Sequence, residues 1–208
     1  MKIYIGNTGT LRHHEVMKRE GWGNLHLANA FRYPKKGMSY CIDNGAYSCW
    51  LHKKPFNETS FRNMLIKLEK CVFPPDFIVC PDIVAGGYDS LRFSLKWLNE
   101  IPAGYPVYLA VQDGMQPDVI RQYIELFDGL FIGGTLEWKL KTASDWINLA
   151  HRYNKKAHIG KVGTFKRLVW AKSIGADSID SSTFVQARKG QEFNRIFAAL
   201  SQRILFTQ

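Results

Sequence analysis

Short apolar stretches alternate with longer amphipathic stretches along most of the chain. The short ones have strand length and are bounded by turn residues, and the longer ones repeat apolar positions with the 3.6-residue period of a helix. The predicted strands are Lys2–Gly6, Leu25–Asn29, Ser39–Asp43, Asp76–Pro81, Val107–Gln112, Gly129–Gly133, Lys156–Gly160 and Ser178–Asp180. The predicted helices are Leu11–Glu20, Ser60–Cys71, Ser90–Asn99, Pro117–Phe127, Ala143–Tyr153, Phe165–Ile174 and Gln191–Arg203.

Local signals support several helix ends. Pro117 fits a first helical position, where its missing N–H has no cost. Thr142 offers a capping hydroxyl with Asp145 three residues later, close to a capping box. Gly175 directly follows an amphipathic stretch and predicts a helix stop.

The alternation of strands and helices predicts an α/β fold. Phe77–Cys80 and Val107–Val111 are almost continuously apolar, which is typical of parallel strands buried on both faces. Eight such strands predict a compact (β/α)8 TIM-like barrel, with an open doubly wound sheet as the alternative. The barrel is favoured because polar residues follow many separate strands, and the carboxyl ends of barrel strands converge on one mouth. With no repeat or linker in the sequence, we expect residues 1–208 to form a single domain.

Composition narrows the class of protein. The chain is 46% hydrophobic and 22% charged, as expected of a globular domain. It has no apolar run of roughly 20 residues and no secretory signal, so a soluble, cytoplasmic protein is predicted. Its four cysteines form no CxxC pair, which predicts reduced thiols and no structural zinc; neither a metal site nor a cofactor is expected. A formal net charge of +10 favours a polyanionic partner.

Three aspartates mark the candidate site. Asp43, Asp82 and Asp180 each follow apolar residues at the end of a predicted strand. A helix cap explains any one of them, Asp82 above all. All three together, with Gln112 after another strand, favour a common function, because a buried carboxylate without a partner is costly.

Other motifs narrow the chemistry by their presence or absence. Gly133 and Gly134 allow a ligand to approach the backbone, although a plain turn explains them equally well. Neither a dinucleotide fingerprint nor a phosphate-binding loop is present. No serine has a nucleophile-elbow context, and the histidines show no zinc spacing.

Basic and aromatic residues concentrate in the predicted connections. Cationic loops around a carboxylate-lined pocket suit a nucleic-acid backbone outside and a base inside, and aromatic rings can stack a displaced base. A solvated basic face with aromatics in the core is the plainer alternative. The basic residues are Lys35–Lys36, His52–Lys54, Lys139, Lys141, Lys155–Lys156, Lys161, Lys166–Arg167 and Arg188–Lys189, and the aromatic ones are Tyr33, Tyr47, Trp50, Trp138, Phe165 and Phe184.

Taken in order, several strings resemble a known family. Asp43–Ser48, Asp82 after its strand, Val111–Gly114, Phe131–Thr135 and Gly175–Asp180 follow the order of motifs in tRNA-guanine transglycosylases. Leu136–Leu140 and His158–Val162 look like the DNA-acting branch, the DpdA-type deazapurine DNA transglycosylases of phage and bacterial DNA modification. The resemblance covers residues 43–180.

The resemblance implies a role for each matched residue. Asp180 would be the nucleophile on C1′ of a guanosine, and Asp43 the general acid and base. Asp82, Gln112, Gly133 and Gly134 would bind the edge of guanine or its 7-deaza replacement, with Asn44 beside them. His158 and Lys161 would lie near the pocket or a phosphate.

The chain also departs from the tRNA enzymes. It lacks their Cys-x-Cys-x-x-Cys zinc site and tRNA-binding parts, which favours DNA as the substrate and a phage or bacterial cytoplasm as its setting. Loops alone, a partner subunit or a homo-oligomer would then hold the DNA. Two alternatives stay open: a guanine-specific DNA glycosylase or nucleoside-level transferase, and a non-catalytic DNA-binding accessory subunit.

Overall fold

Eight parallel strands close into a barrel in the computed structural model, which describes residues 1–6 and 11–182. The strands are β1 (Lys2–Gly6), β2 (Gly23–Leu27), β3 (Tyr40–Asp43), β4 (Ile78–Val79), β5 (Val107–Val111), β6 (Gly129–Ile132), β7 (Lys156–Ile159) and β8 (Ser178–Ser181). The helices are α1 (Leu11–Arg19), α2 (Ala46–Leu51), α3 (Glu58–Leu68), α4 (Tyr88–Leu98), α5 (Pro117–Ile120), α6 (Leu136–Arg152) and α7 (Phe165–Ser173).

Closure distinguishes the barrel from the open sheet. β1 pairs with β2 on one side and with β8 on the other, and Tyr4 lies opposite Asp180 in the β1–β8 pair. The predicted (β/α)8 TIM-like barrel is therefore confirmed, and the open doubly wound alternative is wrong. None of the helices in the described ranges has both the length and the apolar character needed to cross a bilayer.

The inward and outward positions of the strands form two separate cores. Ile3, Ile42 and Leu109, for example, pack outward against the helices as part of the main core. Residues of opposite parity fill the barrel, as expected because strand side chains alternate between faces. Within this inner core the ring of Phe77 stacks on Tyr108 with centroids 4.1 Å apart. The inner core consists of Tyr4, Leu25, Cys41, Phe77, Val79, Tyr108, Ala110 and the half-buried Phe131.

Several helix boundaries differ from those predicted. α6 begins at Leu136, because the hydroxyl of Thr135 accepts a hydrogen bond from Trp138 N. Thr142, predicted to be the cap, lies inside α6 and donates to the carbonyl of Trp138 one turn earlier. The helix α2 was not predicted, since its six residues are too few to show a period.

Other boundaries follow the local signals. Pro117 stands at the start of α5 as predicted, but α5 ends at Ile120 and a separate 3-10 helix covers Ile124–Leu126. Gly175 has a φ of +87° just after α7, which confirms the predicted stop. The predicted helix Gln191–Arg203 lies outside the described residues, as do Phe184 and Arg188–Lys189.

Candidate active site

The polar residues predicted for the site continue the inward-facing positions of the strands. Asp43 lies two residues after Cys41, Gln112 two after Ala110, and Asp180 two after Ser178, where each strand reaches its carboxyl end. Side chains two apart share a face of a strand, so these groups lie above the inner core at the mouth of the barrel.

Asp180 is fixed by two polar partners. Its Oδ2 lies 3.1 Å from His158 Nε2 and accepts a hydrogen bond from Lys161 N, also at 3.1 Å. Its main-chain oxygen accepts a further bond of 2.8 Å from Val162 N. The residue is 8% exposed, and its Oδ1 has no hydrogen bond to any residue in the described ranges. Among the described residues, one oxygen of the carboxylate is thus held and the other has no hydrogen bond.

His158 lies beneath Asp180 inside the barrel. It is 0% exposed, and its ring stacks on Phe131 with centroids 5.0 Å apart. Its Nδ1 lies 2.9 Å from Ser178 Oγ, so both ring nitrogens have partners. His158 therefore bonds to a carboxylate in the interior, and the predicted contact with a phosphate has no exposed atom to make it.

Asp43 is the second carboxylate at the mouth. Its Oδ1 accepts a hydrogen bond of 2.7 Å from Gly45 N. Burial raises the pKa of Asp43, the Gly45 N–H opposes that shift, and the negative charge of Asp180 raises the pKa further. Asp43 and Asp180, 137 residues apart in the sequence numbering, therefore lie close enough for their charges to interact.

Asp82 and Asn44 form a hydrogen-bonded pair across two strand ends. Asn44 Nδ2 donates to Asp82 Oδ1 at 2.8 Å and to the carbonyl of Cys80 at 2.7 Å, while its Oδ1 accepts from Ala46 N at 2.8 Å. Burial raises the pKa of Asp82 to about 6, even though the Asn44 bond lowers it. Asn44 thus positions Asp82, whose buried carboxyl holds its proton more tightly than an exposed aspartate does.

Gln112 holds the loop that follows β4. Its Oε1 accepts from Ala85 N at 2.6 Å, and its Nε2 donates to the carbonyl of Ile83 at 2.9 Å. Both ends of the amide are therefore bonded to loop backbone. A contact with a base would have to use the second amide proton or the second lone pair, so binding of a base by Gln112 stays a prediction.

The two glycines after β6 have different roles in the structure. Gly133 N already donates to the carbonyl of Val111 at 2.9 Å, so its N–H belongs to the barrel ladder. Gly134 has a φ of +73° and packs against Asp113, whose carboxylate accepts from both the N–H and the hydroxyl of Thr135 at 2.7 Å. A side chain at position 134 would overlap this carboxylate, so glycine is required there.

Lys161 and two aromatic rings border the mouth. The Lys161 ammonium lies over the ring of Tyr47, and partial burial lowers the pKa of Lys161 to about 8 although the charge of Asp43 raises it. The Tyr47 and Trp50 rings lie 5.7 Å apart and are 43% and 51% exposed. We call Tyr47, Trp50 and Lys161 the aromatic rim; it offers stacking surface and a cation beside the carboxylates.

Lys139 is a site residue that the sequence analysis missed. It was grouped with the exposed basic loops, but it is 5% exposed, and its Nζ donates to the carbonyl of Gly160 at 2.5 Å. Burial lowers the pKa of Lys139, opposed by the charge of Asp180. The signal was available, because α6 places Lys139 one turn before the buried Ala143 and two before Trp146.

Other basic and aromatic residues that were predicted to surround the pocket lie elsewhere. Lys155 and Lys156 stand at the amino end of β7, opposite the mouth, and pair with Glu125 and Asp177. Trp138 and Phe165 are half-buried against the main core. Fewer basic and aromatic residues therefore lie near Asp180 than the sequence suggested. No cluster of three or more His, Cys, Asp or Glu residues within 1–6 and 11–182 has a geometry that could hold a metal ion.

Comparison with known proteins assigns this chain to no family. No family model matches the sequence, and no curated protein matches it. The chemistry of the site therefore rests on its own residues and on the motifs that carry the resemblance.

Proposed function

We propose that the protein exchanges guanine in DNA for a 7-deazaguanine, such as 7-cyano-7-deazaguanine, through a covalent bond between Asp180 and C1′ of the nucleotide. The observation that carries the proposal is that two carboxylates, Asp43 and Asp180, lie at one barrel mouth where their charges interact. Asp180 has one oxygen fixed by His158 and Lys161 N, and Asp43 has a raised pKa beside it. In this proposal Asp180 attacks C1′ and Asp43 carries a proton.

The exchange takes two balanced steps. First, an Asp180 oxygen bonds to C1′ as the bond from C1′ to guanine N9 breaks, and the departing purine anion takes a proton from Asp43. Then the incoming 7-deazaguanine gives its N9 proton to Asp43, N9 bonds to C1′, and the bond between C1′ and Asp180 breaks. Each step then expels a stable leaving group, the protonated guanine in the first and the Asp180 carboxylate in the second. A direct displacement would have to expel a purine anion, which is a poor leaving group.

Recognition of the base is assigned to the groups beside these carboxylates. Asp82, with a pKa raised to about 6, has one oxygen bonded to Asn44, and the Gly134 backbone lies after β6, with β5 between it and the strand that precedes Asp82. A carboxylate and a main-chain N–H complement the donor and acceptor edge of guanine or a 7-deazaguanine. Asn44 and Gln112 support this edge by holding the loop that carries Asp82.

The aromatic rim supports nucleic acid as the partner. A base inside a duplex must leave the stack before it reaches a barrel mouth, and exposed rings can stabilise such a nucleotide. Tyr47 and Trp50 supply the rings and Lys161 a cation, in a chain with a net charge of +10. DNA is proposed over tRNA because Leu136–Leu140 and His158–Val162 resemble the DNA-acting branch. That branch would act in the cytoplasm of a bacterium or a phage-infected host.

The test uses radiolabelled guanine and DNA. Wild-type protein should incorporate the label into DNA, and Asp180→Asn should abolish incorporation while leaving DNA binding intact. Asp145→Asn, which changes an exposed carboxylate on α6, serves as the matched control and should behave as wild type. Denaturing gels without an incoming base should show a protein–DNA adduct for wild type and none for Asp180→Asn.

The alternatives give different outcomes. A glycosylase would leave abasic sites without incorporating label, and a nucleoside-level transferase would label free nucleosides but not DNA. A non-catalytic DNA-binding subunit would respond identically to Asp180→Asn and Asp145→Asn. Label that enters tRNA but never DNA would refute the proposed substrate. Binding to duplex DNA should also weaken steeply with salt because phosphate contacts release counterions.

A further inference from the structure

A single peptide unit connects the buried Lys139 to Asp180. The carbonyl of Gly160 accepts a hydrogen bond of 2.5 Å from Lys139 Nζ, and the next N–H, that of Lys161, donates to Asp180 Oδ2 at 3.1 Å. The carbonyl and the N–H belong to the same peptide bond between Gly160 and Lys161. The ammonium, the peptide and the carboxylate therefore form one continuous hydrogen-bonded chain.

We propose that Lys139 is a positioning residue for Asp180, acting through the Gly160–Lys161 peptide. A cation bonded to a peptide carbonyl polarises the amide and strengthens its N–H as a donor, because successive hydrogen bonds in a chain reinforce one another in a medium of low dielectric. Lys139 thereby strengthens the bond that holds Asp180 Oδ2. This inference rests on the proposed function, in which Asp180 is the nucleophile.

The backbone at this turn supports a positioning role. Lys161 has a φ of +58°, a left-handed conformation that is unfavourable for a residue with a side chain. A peptide in such a conformation persists only where its surroundings hold it. The bond from Lys139 holds the carbonyl side of this peptide, and Asp180 holds its N–H side.

Because residue 160 is a glycine, the hydrogen-bonded chain from Lys139 to Asp180 fits into a small space. A Cβ at position 160 would lie 2.7 Å from the Phe131 ring and 3.5 Å from Asp180 Oδ2. The turn therefore passes directly between the inner core and the carboxylate. Lys139, on α6, is the described side chain that bonds to the Gly160 carbonyl.

The test compares Lys139→Met with Lys139→Arg, and both with Lys141→Met. Methionine fills a similar volume without a charge, and arginine keeps a cationic donor. Lys141 lies on the same helix but is exposed and pairs with Glu137, so Lys141→Met controls for loss of one positive charge. Circular dichroism checks that each variant is folded.

The first readout does not depend on activity. Proton–nitrogen NMR spectra should show the Lys161 amide proton moving upfield in Lys139→Met, with hydrogen exchange about tenfold faster, as expected for loss of roughly one hydrogen bond. Lys139→Arg should stay close to wild type, and Lys141→Met should be unchanged. A Lys161 amide that is the same in Lys139→Met and Lys141→Met would overturn the proposal.

The second readout is kinetic. In the base-exchange assay, Lys139→Met should lower kcat about tenfold to a hundredfold with little change in the KM for DNA or base, because Lys139 orients the nucleophile and touches neither substrate. Lys139→Arg should recover part of the loss. An unchanged kcat would overturn the catalytic consequence. A wild-type protein without base exchange, but with the amide effect, would refute the proposed function and leave the link between Lys139 and Asp180 standing.

Discussion

Replacing Asp82 with asparagine should stabilise the fold at neutral pH and remove a group that the proposed reaction needs. Burial raises the pKa of Asp82 to about 6 from an ordinary value of 3.8. Asparagine has the same shape, and its carbonyl can accept the bond that Asn44 Nδ2 now donates to Asp82 Oδ1. The substitution therefore removes the charge with little change in packing.

The sign and size follow from proton linkage. Because the folded pKa is above the unfolded one, the folded state binds more protons between pH 3.8 and 6, and stability falls as pH rises through that window. Above the window the charged carboxylate costs the fold about 3 kcal/mol, since one pKa unit corresponds to about 1.4 kcal/mol. At pH about 4.5 the cost is only about 1 kcal/mol. Asp82→Asn should gain up to these amounts.

Urea denaturation followed by circular dichroism measures both values. The free energy of unfolding of Asp82→Asn should exceed that of wild type by about 2–3 kcal/mol at pH about 7.5 and by about 1 kcal/mol at pH about 4.5. Asp145→Asn, at an exposed position, should gain little at either pH. A gain that is absent, or equal at the two pH values, would show that Asp82 is not a destabilising charge. In the labelled-guanine assay Asp82→Asn should lose activity despite its greater stability.

Two further changes test the fold around the site. Burial lowers the pKa of His26 from 6.5 to about 4. The unfolded state therefore binds more protons between these values, and the free energy of unfolding falls as pH drops below about 6.5. In urea denaturation, the free energy of unfolding of His26→Leu should fall by about 2–3 kcal/mol less than that of wild type between pH about 7.5 and 4.5. An equal loss would mean that His26 is protonated in the folded state. Gly134→Ala should destabilise by about 1–3 kcal/mol more than Gly37→Ala, because both glycines have a positive φ but only position 134 brings the new methyl group onto Asp113. Equal melting temperatures for the two variants would contradict this.

Much of the architecture follows from the pattern of residues. The alternation of apolar strands with 3.6-period stretches predicted an α/β fold, and the polar residues after many separate strands favoured the barrel over the open sheet, because the carboxyl ends of barrel strands converge on one mouth. The signal at the strand ends was also local. Asp43 and Asp180 stand at inward-facing positions, and each directly follows an apolar residue. Helix ends were less predictable, as α6 shows, since Thr142, the predicted cap, lies inside the helix and Thr135 is the cap.

The sequence by itself determined which residues stand at the carboxyl ends of the strands, but not the partners of their side chains. His158 could not be placed under Asp180, nor Gln112 on the loop at Ala85, because those bonds depend on how neighbouring strands pair and in which register. Lys139 shows part of the same limit: its helical spacing from Ala143 and Trp146 indicates burial, but only the folded structure shows that its ammonium bonds to the Gly160 carbonyl. Periodicity is local and fixes the face on which a side chain lies, whereas a hydrogen bond depends on register and closure across the whole fold.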